Sequence, residues 1–168
     1  MSDRHVQRQL DAARERLVRV TPRQALQAQQ QGAFLVDTRP EYQRRADGDI
    51  PGAIVIERNH LEWRLDPCSP SRTREATAHD LRWIVVCDEG FSSSLAAASL
   101  QAAGLVNATD MEGGFQRWRA DGCPVTLNNP PAPPRVAHYD TRVGVDVSEQ
   151  HEPKPNAVTG PSYPTAYG

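Results

Sequence analysis

The sequence predicts an α/β fold, a parallel sheet covered by helices on both faces. Two observations lead there. The apolar runs "AFLV", "AIVI" and "WIVV" are short and not interrupted by polar residues, as expected for strands buried on both sides. Helical stripes with start and stop residues stand between them, so strand and helix signals alternate along the chain.

The elements follow in order. Val6, Leu10, Ala13 and Leu17 recur at helical spacing, so residues 1–17 are read as a helical extension lying against a domain that spans 18–127. A second helix starts at Thr21, a good N-cap, with Pro22 in the first turn and Gly32 as its stop. "AFLVDTRP" is a short strand that Pro40 cannot extend. "GDIPGAIVI" gives a turn and a second strand over Ala53–Ile56. The polar stretch from Asn59 to His79 suggests a short helix near Leu61 and another near Arg74. "RWIVVC" is the next strand, and Ser92–Ala103 the next helix, stopped by Gly104. One of Ser92, Ser93 and Ser94 is expected to cap it. A strand at Asp110–Met111, a glycine turn and a helix over Phe115–Ala120 complete the domain.

From Asn128 the composition changes, and eight of the 14 prolines fall within residues 130–168. The segment 128–168 therefore reads as an extended or disordered Pro-rich tail, with "RVGVDV" only a weak edge-strand signal. The 19 basic residues are interspersed among 21 acidic ones for a net charge of −2, which gives no nucleic-acid surface. No apolar run has membrane-spanning length, so no membrane partner is expected. The charged N-terminus lacks the apolar core of a secretory signal, which points to the cytoplasm. Cys68, Cys87 and Cys123 are an odd number without a CxxC pair, and the histidines show no ligand spacing. Neither a disulfide framework nor a metal site is therefore expected.

Cys87 is the singular residue. It ends an apolar strand immediately before a helix, in "WIVVCDEGFSSSLAAASL". Ligands of open parallel sheets bind beyond the carboxyl ends of the strands. A short loop containing Gly90 can turn its amides inward, and a helix N-terminus adds its dipole, so the position favours a thiolate or a persulfide anion. Two plainer readings remain open: a strand-end cysteine packed as a small hydrophobe, and serines that do nothing beyond capping.

"LVDTRP", "GDIPGA", "VVCDEGFSS" and "EGGFQRW…DGCPV" resemble, in order and spacing, the markers of the rhodanese-like domain family, over about Val18 to Val125. The resemblance implies a three-layer α/β/α domain with a five-stranded parallel sheet in the order 3-2-1-4-5. It implies a sulfurtransferase in which Cys87 takes sulfane sulfur from a donor, thiosulfate or a small-molecule persulfide, and passes it to a thiophilic acceptor. That acceptor is a small molecule or a protein. No cofactor is implied. Asp88, Glu89, Gly90, Phe91, Ser92 and Ser93 match the persulfide-binding loop. Asp37 and Arg39 match a structural pair near the site, Gly52 the turn glycine, and Gly113, Gly114 and Trp118 the final signature, with Trp118 in the core.

Three departures bear on function. Asp49 stands where relatives commonly carry histidine, a position read as structural. Asp88 and Glu89 make acidic a loop that is often basic. Ser93 occupies the place six residues after the cysteine where phosphatases and arsenate reductases of this fold carry the arginine that grips an oxyanion. A sulfurtransferase is thus the first reading, a non-catalytic carrier or partner-docking module the second, and a phosphatase or arsenate reductase the third. Cys68 is expected to be an exposed bystander and Cys123 packed, with His60 and His79 on the surface.

Overall fold

The computed structural model describes residues 5–127. The expected tail, including "RVGVDV", lies outside the described residues. The strands are β1 (Phe34–Asp37), β2 (Ile54–Val55), β3 (Trp83–Val86) and β4 (Thr109–Asp110). They form one sheet in the order β2-β1-β3-β4, with every pairing parallel. The helices are α1 (His5–Glu15), α2 (Pro22–Gln30), α3 (Glu41–Asp47), α4 (Leu61–Leu65), α5 (Ser92–Ala102) and α6 (Gly114–Ala120).

Residue alternation along the central strands divides the core. Val36, Trp83 and Val85 face one side and pack with Leu61 and Leu65 of α4 and Ala96, Ala97 and Leu100 of α5. Leu35, Ile84 and Val86 face the other and pack with Ala25 and Ala28 of α2 and Phe115 and Trp118 of α6. β3 is buried at all four positions, as its unbroken apolar run requires. Helix α1 packs on α5 and buries Leu10 and Ala13, while Val6, from the same expected stripe, is exposed.

The expected five-stranded sheet in the order 3-2-1-4-5 is corrected by the structure: four strands are formed among the described residues. The position beyond β4 holds only a single bridge, Val20 to Met111. Val20 N–H donates to the Asp110 carbonyl at 3.2 Å, and Glu112 N–H donates to the Val20 carbonyl at 2.9 Å. Thr21 then leaves the sheet at once to cap α2, its hydroxyl accepting from Gln24 N–H while the Gln24 side chain accepts from the Thr21 amide. The bridge also lies at the β4 edge, whereas the expected order puts the first strand at the centre.

Two local readings are also corrected. The helix expected near Arg74 is replaced by turns, in which Thr73 N–H donates to the Arg64 carbonyl and folds the segment back on α4. Helix α3 was not expected. Pro40 ends β1 but also serves as the N-cap of α3, with φ −64°. None of its residues is buried, so it leaves no apolar stripe in the sequence.

Candidate active site

Cys87 follows β3 directly and is 6% exposed. The loop after it turns at Gly90, whose φ is +81°. A β-carbon at Gly90 would lie 2.7 Å from the Gly113 amide nitrogen, so the close approach of the "EGG" turn also demands glycine. The turn brings Gly90 N–H to 3.1 Å and Ser93 N–H to 3.3 Å from Cys87 Sγ, and both donate to it. The Ser93 hydroxyl lies 3.1 Å from the same sulfur. Of the six predicted loop residues, Gly90 and Ser93 reach the sulfur. Asp88 is half-buried, and Glu89, Phe91 and Ser92 are exposed.

The serines do not act as expected. Phe91 holds the N-cap position of α5, and no side chain caps the helix. The helix's free N-terminal donor at Ser93 is instead spent on the cysteine sulfur. Ser93 Oγ and Ser94 Oγ turn inward to Asp110 Oδ2, at 3.1 and 2.8 Å. Asp110, on β4, is wholly buried and paired with Arg19, whose Nε is 2.8 Å from Oδ1 and whose Nη2 is 3.0 Å from Oδ2. A buried carboxylate without such a partner would be strongly destabilising. The sulfur is thus joined through Ser93 to a neutralised buried ion pair.

Two arginines hold the loop from outside. Arg14 Nη2 on α1 donates to the Gly90 carbonyl at 2.9 Å, and Arg19 Nη2 donates to the same oxygen at 3.3 Å. Arg14 Nε also reaches Ser94 Oγ at 3.2 Å, and its guanidinium stacks 5.6 Å from the Phe91 ring centre. These contacts fix the Gly90–Phe91 peptide through its carbonyl, while the Gly90 N–H, in the preceding peptide, donates to the sulfur. At the other end of the loop, Phe115 N–H donates to the Cys87 carbonyl at 2.9 Å and Gln116 N–H to the Asp88 carbonyl at 3.0 Å. The Gln116 side chain bridges Asp88 Oδ1 at 2.9 Å and Asp47 Oδ2 at 3.1 Å, tying the acidic loop to α3.

Asp37 and Arg39 form a buried brace. Arg39 Nη2 lies 2.7 Å from Asp37 Oδ2 and donates to the Gly48 carbonyl at 2.9 Å, and the guanidinium stacks 3.5 Å over Phe115. An open pocket of about 440 Å³ lies at the carboxyl ends of β1 and β2, lined by Thr38, Pro40, Glu57, Arg58 and Asn59. Thr38 on its wall donates its N–H to the carbonyl of Val86, the residue before Cys87, at 2.8 Å, although neither Cys87 nor its loop lines the pocket. Asp49 forms backbone bonds with Thr126 and an ion pair with Arg44, a structural use.

Cys68 is exposed and Cys123 buried; burial, aided by the Asp121 charge, pushes the Cys123 thiol up. Trp118 is fully buried, and no described helix is long and apolar enough to cross a membrane.

Sequence reasoning missed Arg14, Arg19, Ser94, Asp110 and Gln116. The one available signal was an aspartate inside the last strand, because an acid buried there needs a cation from elsewhere in the chain.

The family model described as the rhodanese-like domain matches residues 21–121. The chain belongs to the rhodanese-like domain family. Among relatives, this rhodanese-like chain is 36% identical over 102 residues to the thiosulfate sulfurtransferase GlpE of Pseudomonas entomophila (strain L48), covering 61% of this chain and 84% of that protein. It is 38% identical over 103 residues to the GlpE of Pseudomonas putida (strain GB-1), with 61% and 84% covered. A solved structure from Rhodopseudomonas palustris, of unknown function and described as a possible tyrosine phosphatase, matches with a TM-score of 0.67 at 31% identity. It covers 75% of this chain and 97% of that one.

Proposed function

We propose that the chain is a sulfurtransferase that moves sulfane sulfur through a persulfide on Cys87. The observation that carries this reading is the sulfur's setting: two backbone N–H groups and one hydroxyl converge on Cys87 Sγ at the end of a parallel strand. The two N–H groups donate to the sulfur, and such donors stabilise it as an anion. The names of the GlpE relatives support sulfur transfer as the chemistry.

In the loading step the Cys87 thiolate attacks the outer sulfur of thiosulfate or of a small-molecule persulfide. A new S–S bond forms, the donor's S–S bond breaks, and sulfite or a thiolate leaves with the electron pair. The cysteine now carries a terminal anionic sulfur. A thiophilic acceptor, small molecule or protein, attacks that sulfur in turn and releases the Cys87 thiolate. No cofactor enters either step. The pocket beside Thr38 offers Arg58 to an anionic donor, although Glu62 already pairs with that arginine.

The possible tyrosine phosphatase among the structural neighbours prompts a second reading, phosphate-ester hydrolysis. It needs a guanidinium within the loop to hold the oxyanion. Here Ser93 stands at that place, and the Arg14 and Arg19 guanidinium groups are engaged with the Gly90 carbonyl, Ser94 and Asp110. The sulfur-transfer reading is therefore preferred.

Intact mass after incubation with thiosulfate tests it. A gain of one sulfur, removed by cyanide, is expected for the wild type and for Cys68→Ser and Cys123→Ser, but not for Cys87→Ser. Sulfur retained by Cys87→Ser, or lost in either of the other two, overturns the assignment.

A further inference from the structure

Cys68, which sulfur transfer does not use, stands beside two other side chains of metal-ligand chemistry. Asp66, Cys68 and His79 offer a carboxylate oxygen, a thiol sulfur and an imidazole nitrogen that all lie within 4.8 Å of one another. From this convergence we propose that the three residues form a binding site for a borderline-soft divalent cation, Zn²⁺ in the first instance.

The sequence does not advertise the site, because the ligands belong to no compact spacing motif. The fold assembles it. Asp66 terminates α4, its N–H donating to the Glu62 carbonyl at 3.0 Å. Cys68 N–H donates to Asp66 Oδ1 at 2.8 Å, which fixes the cysteine relative to the carboxylate. The chain then turns back: Thr73 N–H reaches the Arg64 carbonyl at 2.8 Å, and Arg64 Nη1 donates to the Ser71 carbonyl at 2.9 Å. On the return, Asn107 holds the Asp80 carbonyl at 2.6 Å, next to His79. Both ends of the segment are therefore anchored while the three side chains remain accessible, with Asp66 and His79 side chains 42% and 51% exposed.

The side chains converge without satisfying one another. His79 Nε2 stands 3.9 Å from Asp66 Oδ1, beyond hydrogen-bonding distance. No hydrogen bond to the Cys68 sulfur or the His79 ring is present among the described residues. Zinc–ligand distances of about 2.0–2.3 Å place tetrahedral ligand atoms about 3.3–3.6 Å apart. From separations of up to 4.8 Å the widest pair must therefore draw in by about 1.2–1.5 Å, within reach of rotations in partly exposed side chains. Mixed sulfur, nitrogen and oxygen donors suit zinc, whereas calcium and magnesium take oxygen alone. Binding forms a Zn–S bond and releases the Cys68 proton to solvent, and water fills the fourth position.

Such a cation would clip the segment after α4 and mask an exposed thiol that could otherwise compete for sulfur. The site is independent of the chemistry at Cys87, so either can fail alone. The test is a Co²⁺ titration of the full chain followed by displacement with Zn²⁺. Expected are a sulfur-to-metal charge-transfer band and intense tetrahedral visible bands, saturating at one ion per chain and bleached by Zn²⁺. Cys68→Ser should remove the charge-transfer band. His79→Ala and Asp66→Asn should weaken binding at least tenfold, the asparagine keeping an acceptor for the Cys68 amide so that the turn survives. Cys87→Ser should bind as wild type. In parallel, Zn²⁺ should slow alkylation of Cys68, located by peptide mass, more than tenfold. The proposal is overturned if no charge-transfer band appears, if it persists in Cys68→Ser, if Cys87→Ser abolishes it, or if Zn²⁺ leaves Cys68 alkylation unchanged.

Discussion

Replacing Ser93 with alanine removes one atom that touches both the reactive sulfur and the buried acid. The Ser93 hydroxyl is 3.1 Å from Cys87 Sγ and 3.1 Å from Asp110 Oδ2. With a neutral thiol, the sulfur donates to Ser93 Oγ and the serine donates onward to Asp110. With an anionic sulfur, the single hydroxyl proton is better used toward sulfur, because Ser94 and Arg19 still serve the carboxylate. Hydrogen bonds to charged groups contribute about 1.5–3 kcal/mol net, and each 1.36 kcal/mol is tenfold in rate. The two amide donors survive the substitution, so kcat/KM for sulfur transfer should fall about ten- to hundredfold rather than vanish. Ser94→Ala is the comparison: its hydroxyl serves the same carboxylate and reaches the Gly90 carbonyl at 3.3 Å, but does not touch the sulfur, so its effect on transfer is indirect and smaller. It should cost stability while leaving kcat/KM within about threefold of wild type. Steady-state transfer to cyanide, with melting temperatures for both variants, reads the contrast. Wild-type kinetics in Ser93→Ala, or equal losses in the two variants, would refute the reasoning.

Two further outcomes follow from the geometry. Gly114 has φ +57°, and a β-carbon there would lie 2.5 Å from the Asp88 carbonyl oxygen and would also strike that of Cys87. Gly114→Ala should therefore cost about 1–2 kcal/mol from backbone conformation alone. It should lower the melting temperature by about 5 °C or more and slow sulfur loading, because the displaced atoms belong to the loop. At Glu62, burial raises the carboxyl pKa, but hydrogen bonds from Ser99 and Arg58 outweigh it and hold the group below its ordinary 4.5. A depressed folded-state value stabilises the fold above the unfolded pKa and is lost as pH falls through the folded one. Glu62→Gln should accordingly lower the melting temperature at neutral pH, and the gap should narrow below about pH 4.5; a gap that persists in acid would contradict this.

What was legible in the sequence follows from the range of the interactions involved. β1, β3, α2 and α5 were visible because their signals are local: unbroken apolar runs, the Thr21 cap, and glycine stops at Gly32 and Gly104. The position of Cys87 at a strand end was equally local, and so was the turn that Gly90 permits, whereas the close approach of Gly113 that also requires glycine there was not. Helix α3 was invisible because it buries nothing. The serine triplet misled because capping is the usual local use of such residues. Here a buried acid on another strand recruits two of them, and the helix N-terminus serves the sulfur instead. Arg14 and Arg19 reach Gly90 across 76 and 71 positions of sequence, beyond any spacing rule. The fifth strand failed for a geometric reason, since Val20 has one bridge before Thr21 must turn into α2.

The two arginines on the Gly90 carbonyl also bear on where this domain may be cut. The family match begins at residue 21, yet Arg14 and Arg19 precede it. A graft taken at the family boundary would transfer the thiol, the loop and the sheet but leave behind both cations. Asp110 would then sit in the interior as an unpaired charge, beside the serine that contacts the sulfur. The inheritable unit is thus longer than the recognisable one, and its least conspicuous stretch carries the counter-charge on which the conspicuous part depends.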